Sequence, residues 1–176
     1  RHRFGPLVIA GDMDDWRAPF QLAGKQAGAI RPDTLLRMVD RLRREGNWFD
    51  AYALWVSYHG KVPEGVFNAG FDLAMSRRGF DWEWVVQPLD RQGFRVDQVS
   101  ASPKKGMVAE VELTGRSALP PVLLSQTLLL FGPHYRLQVN MLTDTLKTTD
   151  GLVWVVRCAA GGDRLAQTEA IKNTQR

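Results

Sequence analysis

The chain has 176 residues, 44% of them hydrophobic and 24% charged, with a formal net charge of +4. That length holds one ordinary domain, or a small domain with a helical appendage, and the composition is that of a globular chain. No apolar run approaches the roughly 20 residues that span a bilayer. The mild basic excess is not gathered into a stripe suited to nucleic acid, so neither a membrane span nor a nucleic-acid partner is expected.

Residues 1–30 carry the weakest signal. Leu7-Val8-Ile9 fits a short strand or a helical segment, Gly11 to Pro19 reads as a loop, and Gly24 and Gly28 mark a loosely held connector. Asp12, Asp14 and Asp15 lack the glycine and distal glutamate that a calcium loop needs at its sixth and twelfth positions, so they read as a turn or a helix cap. The opening Arg1-His2-Arg3-Phe4 has no methionine and is read as a processed product or a piece of something longer.

From Pro32 the pattern sharpens. Leu35, Leu36, Met38, Val39 and Leu42 recur at helical spacing, with acids early and Arg43-Arg44 late, as the helix dipole favours. Asp33 to Arg37 and Asp40 to Arg44 are helix-spaced opposite charges, the mark of a solvated face. Gly46 suits a C-terminal cap and Asn47 the N-cap of a second helix, whose one face carries Ala51, Leu54, Trp55 and Tyr58. Helices are therefore expected at about 32–45 and 47–59, inside a helical segment covering 1–61. Leu42, Gly46, Phe49, Ala51, Ala53 and Trp55 are similar to the last unit of a tetratricopeptide-type array. One unit cannot bury its own face, so either upstream repeats belong to it or the hairpin lies against the next domain.

After Gly60 the period drops from about 3.6 to 2. Phe80, Trp82 and Trp84 alternate with Asp81 and Glu83; Phe94 and Val96 with Arg95 and Asp97; Val111 and Leu113 with Glu110 and Glu112. Tyr135, Leu137, Val139 and Met141 alternate with Arg136, Gln138 and Asn140. Strict alternation means antiparallel sheets with one face buried and one wet, so Trp82, Trp84 and Trp154 are read as core. Leu152 to Val156 is apolar throughout, which fits a central strand covered on both sides, with the helical hairpin as its natural cover. The expected fold is mainly β: an antiparallel β-sandwich over 62–176 with an N-terminal helical hairpin.

Several phrases occur in a telling order: Val66-Phe67-Asn68-Ala69-Gly70-Phe71-Asp72, then Gly79-Phe80-Asp81-Trp82, then Gln126 through Leu137, then Gly151-Leu152-Val153-Trp154 to Cys158. Over about residues 32–160 this order resembles the jelly-roll modules, akin to carbohydrate-binding modules, appended to tetratricopeptide-type proteins of Gram-negative bacteria. Ala69 stands where that pattern has glycine, Asp72 where it has glutamate, and Gly132-Pro133 inverts its Pro-Gly turn. The resemblance implies a jelly-roll sandwich, a place in the periplasm or cell envelope, and a polysaccharide ligand. It also implies that Leu165 to Arg176 lack a sheet neighbour, leaving an open edge for self-association. Asp72 matches the position whose acid helps hold a structural calcium in related modules.

Sugar recognition needs flat aromatic faces and polar side chains for the hydroxyls. The wet strand faces supply Glu83, Arg136, Gln138 and Asn140 as candidate ligand-binding residues. Glu110 and Glu112 have the make-up of a glycosidase pair, but two acids on a wet strand are commonplace and no apolar pocket is evident to raise one pKa. His2, His59 and His134 lack metal-ligand spacing, and Cys158, in the apolar strand, reads as a buried inert thiol. No nucleophile elbow, phosphate loop or dinucleotide fingerprint occurs, so no catalytic residue is assigned. The expected function is a non-enzymatic carbohydrate-binding-like module of the bacterial envelope or exopolysaccharide machinery. The alternative is a protein–protein adaptor that grips its partner through the helical hairpin.

Overall fold

The computed structural model describes residues 2–11, 31–60, 63, 65–84, 93–102, 106–113 and 121–172. The loop from position 12 to Pro19, the acids Asp12, Asp14 and Asp15, and the connector around Gly24 and Gly28 lie outside them. The described part holds two helices and several antiparallel strands in small sheets. In chain order these are β1 (His2–Gly11), α1 (Pro32–Arg44), α2 (Trp48–His59), β2 (Glu83–Trp84), β3 (Phe94–Ser102), β4 (Gly106–Leu113), β5 (Leu124–Ser125), β6 (Tyr135–Thr143), β7 (Val155–Arg157) and β8 (Arg164–Gln167).

The helices begin and end where local chemistry directs. Pro32 opens α1, where its missing N–H costs nothing, and Arg41, Arg43 and Arg44 occupy the last turn. Gly46, at φ +80°, then reverses the chain while Gly46 N–H donates to Arg43 C=O and Asn47 N–H to Leu42 C=O. This is the Schellman arrangement, and glycine takes its left-handed position without a Cβ clash. Asn47 occupies the N-cap of α2, but its side chain makes no capping hydrogen bond. The buried stripe of α2 is Ala51, Tyr52, Trp55 and Val56, whereas Tyr58 is exposed, so the inward face is rotated from the one expected.

The described residues build two apolar cores. In the first, Leu35, Leu36 and Val39 of α1 and Ala51, Tyr52, Trp55 and Val56 of α2 close on Phe67 and Phe80, with Leu129 alongside. Tyr52, Trp55 and Phe67 meet Phe80 or one another edge-on or offset, with ring centroids 4.5–6.0 Å apart. The hairpin thus buries its face against the segments around residues 67 and 80. Polar bonds fasten the same junction: Gly79 N–H donates to Asp40 Oδ1 at 2.9 Å, and Arg78 reaches Asp33 at 2.8 Å.

The second core lies on one face of a four-stranded antiparallel sheet of order β3-β4-β1-β6. Phe94 and Val96 of β3, Ala109 and Val111 of β4, and Leu137, Val139 and Met141 of β6 pack there with Phe71, Trp82, Leu124 and Trp154. The two shorter sheets are the antiparallel pairs β2-β5 and β7-β8. β1 falls within the span that the sequence groups with the helices, yet it pairs with β4 on one side and β6 on the other.

Several expectations are corrected. Leu152 to Val156 is not a central strand beneath the hairpin: among the described residues β7 pairs with β8 alone, Val153 is exposed, and the hairpin core contains none of these residues. Asp81 is buried, because its carboxylate accepts the backbone N–H groups of Ser76 (2.5 Å) and Trp82 (2.8 Å) and so folds the tight turn instead of facing water. Glu110 is buried too: it sits mid-sheet on β4, in register with Asp97 of β3 and Arg3 of β1. Cys158 is only partly buried, because it closes the β7-β8 turn, its N–H donating to Asp163 C=O at 2.8 Å. Leu165 lies in β8, which pairs with β7 on one side and with no other strand among the described residues.

Candidate functional site

β6 carries the clearest row of polar side chains. Its residues alternate partly buried and exposed from Tyr135 to Thr143, so Arg136, Gln138 and Asn140 face solvent while Leu137, Val139 and Met141 turn to the core. Cross-strand register extends the polar face. Leu142 of β6 stands opposite Arg3 of β1, Arg3 opposite Glu110 of β4, and Glu110 opposite Asp97 of β3, which puts Leu142, Glu110 and Asp97 on one side of the sheet. Arg95 and Asp97 form an ion pair there, and Glu112 is the cross-strand neighbour of Arg95. The face therefore offers guanidinium, amide and carboxylate groups across three strands.

Glu83 is not part of this row. It lies on β2, in the two-stranded sheet, and its carboxylate accepts a hydrogen bond from Arg43 Nη1 of α1 at 3.0 Å. Arg43 also donates from Nη2 to Thr127 Oγ1 at 2.7 Å, and its guanidinium stands 5.4 Å from the Phe80 ring centroid. Glu83 thus anchors the hairpin to the β-rich part of the chain. It also rims an open groove of about 520 Å3 lined by Arg37, Asp40, Arg43, Arg44, Arg78 and Glu83. The charge spacing along α1 predicts a solvated helix face for Arg37 and Arg44. Asp33 does pair with Arg37, at 2.5 Å, but Asp40 turns to Gly79 N–H and Arg43 and not to Arg44. No spacing along α1 reveals that Arg78, from a distant turn, completes the groove.

Asp72 is exposed and accepts a hydrogen bond from Met107 N–H at 3.3 Å. Among the described residues no three His, Cys, Asp or Glu side chains converge as a metal ligand set would require. The rest of its motif has a structural explanation. Asn68, at φ +49°, donates from Nδ2 to Leu73 C=O (2.8 Å) and accepts Leu73 N–H at Oδ1 (2.9 Å), closing the loop like one rung of a ladder. Trp82 Nε1 donates to Asn68 C=O, and Gln98 Nε2 donates to Phe71 C=O and to Leu73 C=O. Gln126 clamps the neighbouring segments, donating to Phe67 C=O (2.9 Å) and Phe80 C=O (3.0 Å). Phrases such as Asn-Ala-Gly-Phe-Asp and Ser-Gln-Thr therefore organise backbone.

Aromatic surface is present beside the hairpin. Phe49 of α2 and Phe131 are 52% and 37% exposed and meet edge-on at 6.5 Å between centroids. Phe131 precedes Arg136 by five positions, across the Gly132-Pro133 turn where Gly132 N–H donates to the Tyr135 hydroxyl. No helix among the described residues is long and apolar enough to cross a membrane. No family model, no curated protein and no solved structure matches this chain.

Proposed function

We propose that the chain is a non-enzymatic carbohydrate-binding-like module of the bacterial envelope or exopolysaccharide machinery, built on a jelly-roll sandwich. The observation that carries this reading is the exposed row Arg136, Gln138 and Asn140, held on a strand whose opposite face is anchored in the core. A sugar presents hydroxyls that are both donors and acceptors, and amide side chains answer both needs at once. A rigid strand fixes their spacing better than a loop, which lowers the ordering cost on binding. Phe131, five positions before Arg136, supplies an exposed ring for the C–H face of a pyranose.

The test is a glycan array over neutral and acidic glycans, followed by intrinsic-fluorescence titration of the hits. Binding to at least one glycan, weakened several-fold in a Gln138→Ala/Asn140→Ala variant that keeps its melting temperature, supports the proposal. Silence across the array, or the absence of any glycan whose binding weakens in that variant, overturns it.

A second reading, a protein–protein adaptor, draws its support from the Phe49–Phe131 pair, which places two large exposed rings on the hairpin and the adjoining segment. It expects Phe49→Ala to abolish self-association or partner capture without lowering glycan binding. Monomeric behaviour of the wild-type chain, with no partner sensitive to Phe49→Ala, removes that support.

A further inference from the structure

The groove between α1 and the turn that carries Arg78 has a chemistry distinct from the β6 row. Arg37, Asp40 and Arg44 are spaced three and four positions apart, so α1 presents them on one face. Arg78 and Glu83 form the facing wall, and Arg43 the floor. Four guanidinium groups meet two lining carboxylates, and with Asp33, which pairs with Arg37 and Arg78, the set is still net positive. The guanidiniums are also held in place before any ligand arrives. Asp33 bridges the two walls, one oxygen on Arg37 at 2.5 Å and the other on Arg78 at 2.8 Å. Arg43, with 16% of its side chain exposed, is fixed by Glu83, Thr127 and the Phe80 ring, while its buried Nε has no hydrogen-bond partner among the described residues. Arg44 has no ion-pair or hydrogen-bond partner among the described residues, so its fork of donors is open.

We infer that this groove binds an acidic oligosaccharide, its carboxylate or sulfate groups taken by Arg44, Arg37 and Arg78 and its hydroxyls by Asp40 and Glu83. Arginine forks match planar oxyanions, and pre-positioning them lowers the ordering cost that a free surface arginine would bear. The volume, about 520 Å3, falls in the range of ordinary small-ligand sites and admits more than one sugar ring. The two carboxylates decide between classes of polyanion. They repel a dense phosphate backbone but accept hydrogen bonds from sugar hydroxyls. The choice of ligand rests on the carbohydrate-binding reading above; the site itself is separate from the β6 row.

Calorimetry with the full chain tests it, using an oligogalacturonate, a neutral galacto-oligosaccharide of equal length and an oligothymidylate. Expected is binding of the oligogalacturonate that weakens about tenfold in Arg44→Glu and largely recovers in Arg44→Lys, with the neutral sugar about tenfold weaker in the wild type. Arg44 makes no side-chain bond among the described residues, so Arg44→Lys keeps the wild-type melting temperature and Arg44→Glu lowers it only slightly, through its charge at the C-terminal end of α1. Absence of oligogalacturonate binding, affinity indifferent to Arg44→Glu, or tighter binding of oligothymidylate overturns the inference. A neutral sugar lost only with the Gln138 and Asn140 substitutions, together with oligogalacturonate affinity indifferent to Arg44→Glu, overturns the groove while keeping the module's general reading.

Discussion

The backbone of Gly79 lies against the indole of Trp55: a β-carbon at position 79 would stand 2.5 Å from Trp55 Cδ1 and 2.9 Å from its Nε1. The same carbon would be 3.3 Å from Val39 Cγ1, so both helices approach this one residue. Gly79 also has φ +64° and donates its N–H to Asp40. A turn of the β-rich part of the chain is thereby pressed into the hairpin at the point where a side chain cannot fit.

Gly79→Ala should therefore destabilise the chain by about 2–4 kcal/mol, joining left-handed strain to overpacking against buried Trp55. Gly46→Ala is the control. Gly46 has φ +80°, but among the described residues nothing lies within 4 Å of where its β-carbon would stand, so only the strain, about 1–2 kcal/mol, is expected. Urea midpoints for the two variants separate the terms, and equal losses would contradict the close approach.

Asn68 should be sensitive for two reasons that substitutions can divide. Asn68→Gly keeps the positive φ but removes both bonds to Leu73, for a loss of about 1–2 kcal/mol. Asn68→Ala adds left-handed strain and should lose about 1 kcal/mol more. Thermal melts give the order; an alanine variant as stable as the glycine one would show that the loop relaxes.

Burial among Trp55, Tyr58 and Phe67 lowers the His59 imidazole from its ordinary value near 6.5, and the charge of Asp81 opposes this only in part. A depressed folded-state value means that the unfolded chain binds the proton more readily. The stabilisation is then complete above about pH 6.5 and is lost as pH falls through the folded-state value. Between about pH 7.5 and 5.5 the wild-type melting temperature should fall more steeply than that of His59→Phe, which keeps an aromatic ring and removes the titration. Parallel pH profiles for the two proteins would exclude His59 as the source.

Arg43 and Glu83 should couple across the junction. Arg43→Ala strands Glu83 and Thr127 and removes the contact with Phe80, so it should cost more than Glu83→Ala. Because Glu83 is 40% exposed, solvent screens the pair, and a double-mutant cycle should return about 0.5–1.5 kcal/mol. A coupling indistinguishable from zero would mean that packing alone holds the hairpin there.

Much of the local structure was written in the chain. The apolar spacing through Leu35, Leu36 and Val39, with Pro32 before and Gly46 after, placed α1, and the alternation from Tyr135 to Met141 placed β6 and the outward set of its polar row. These features depend on neighbours one to four positions apart, and helix and strand periods express them directly. The fate of Asp81, Glu110, Glu83 and the α1 arginines was different. Asp81 and Glu83 share an alternating run, yet one carboxylate folds a turn and the other holds Arg43 across forty positions. Glu110 has the same local setting as Glu112 but lies deeper in the sheet, where β1 pairs with β4. Arg44 and Arg78 meet at one groove only because Phe80, Trp55 and Val39 bury each other. By itself the sequence determined where α1 and α2 coil and which side of β6 is wet. Tertiary structure alone decided which charges find partners, because burial and pairing depend on contacts between segments that the local pattern does not encode.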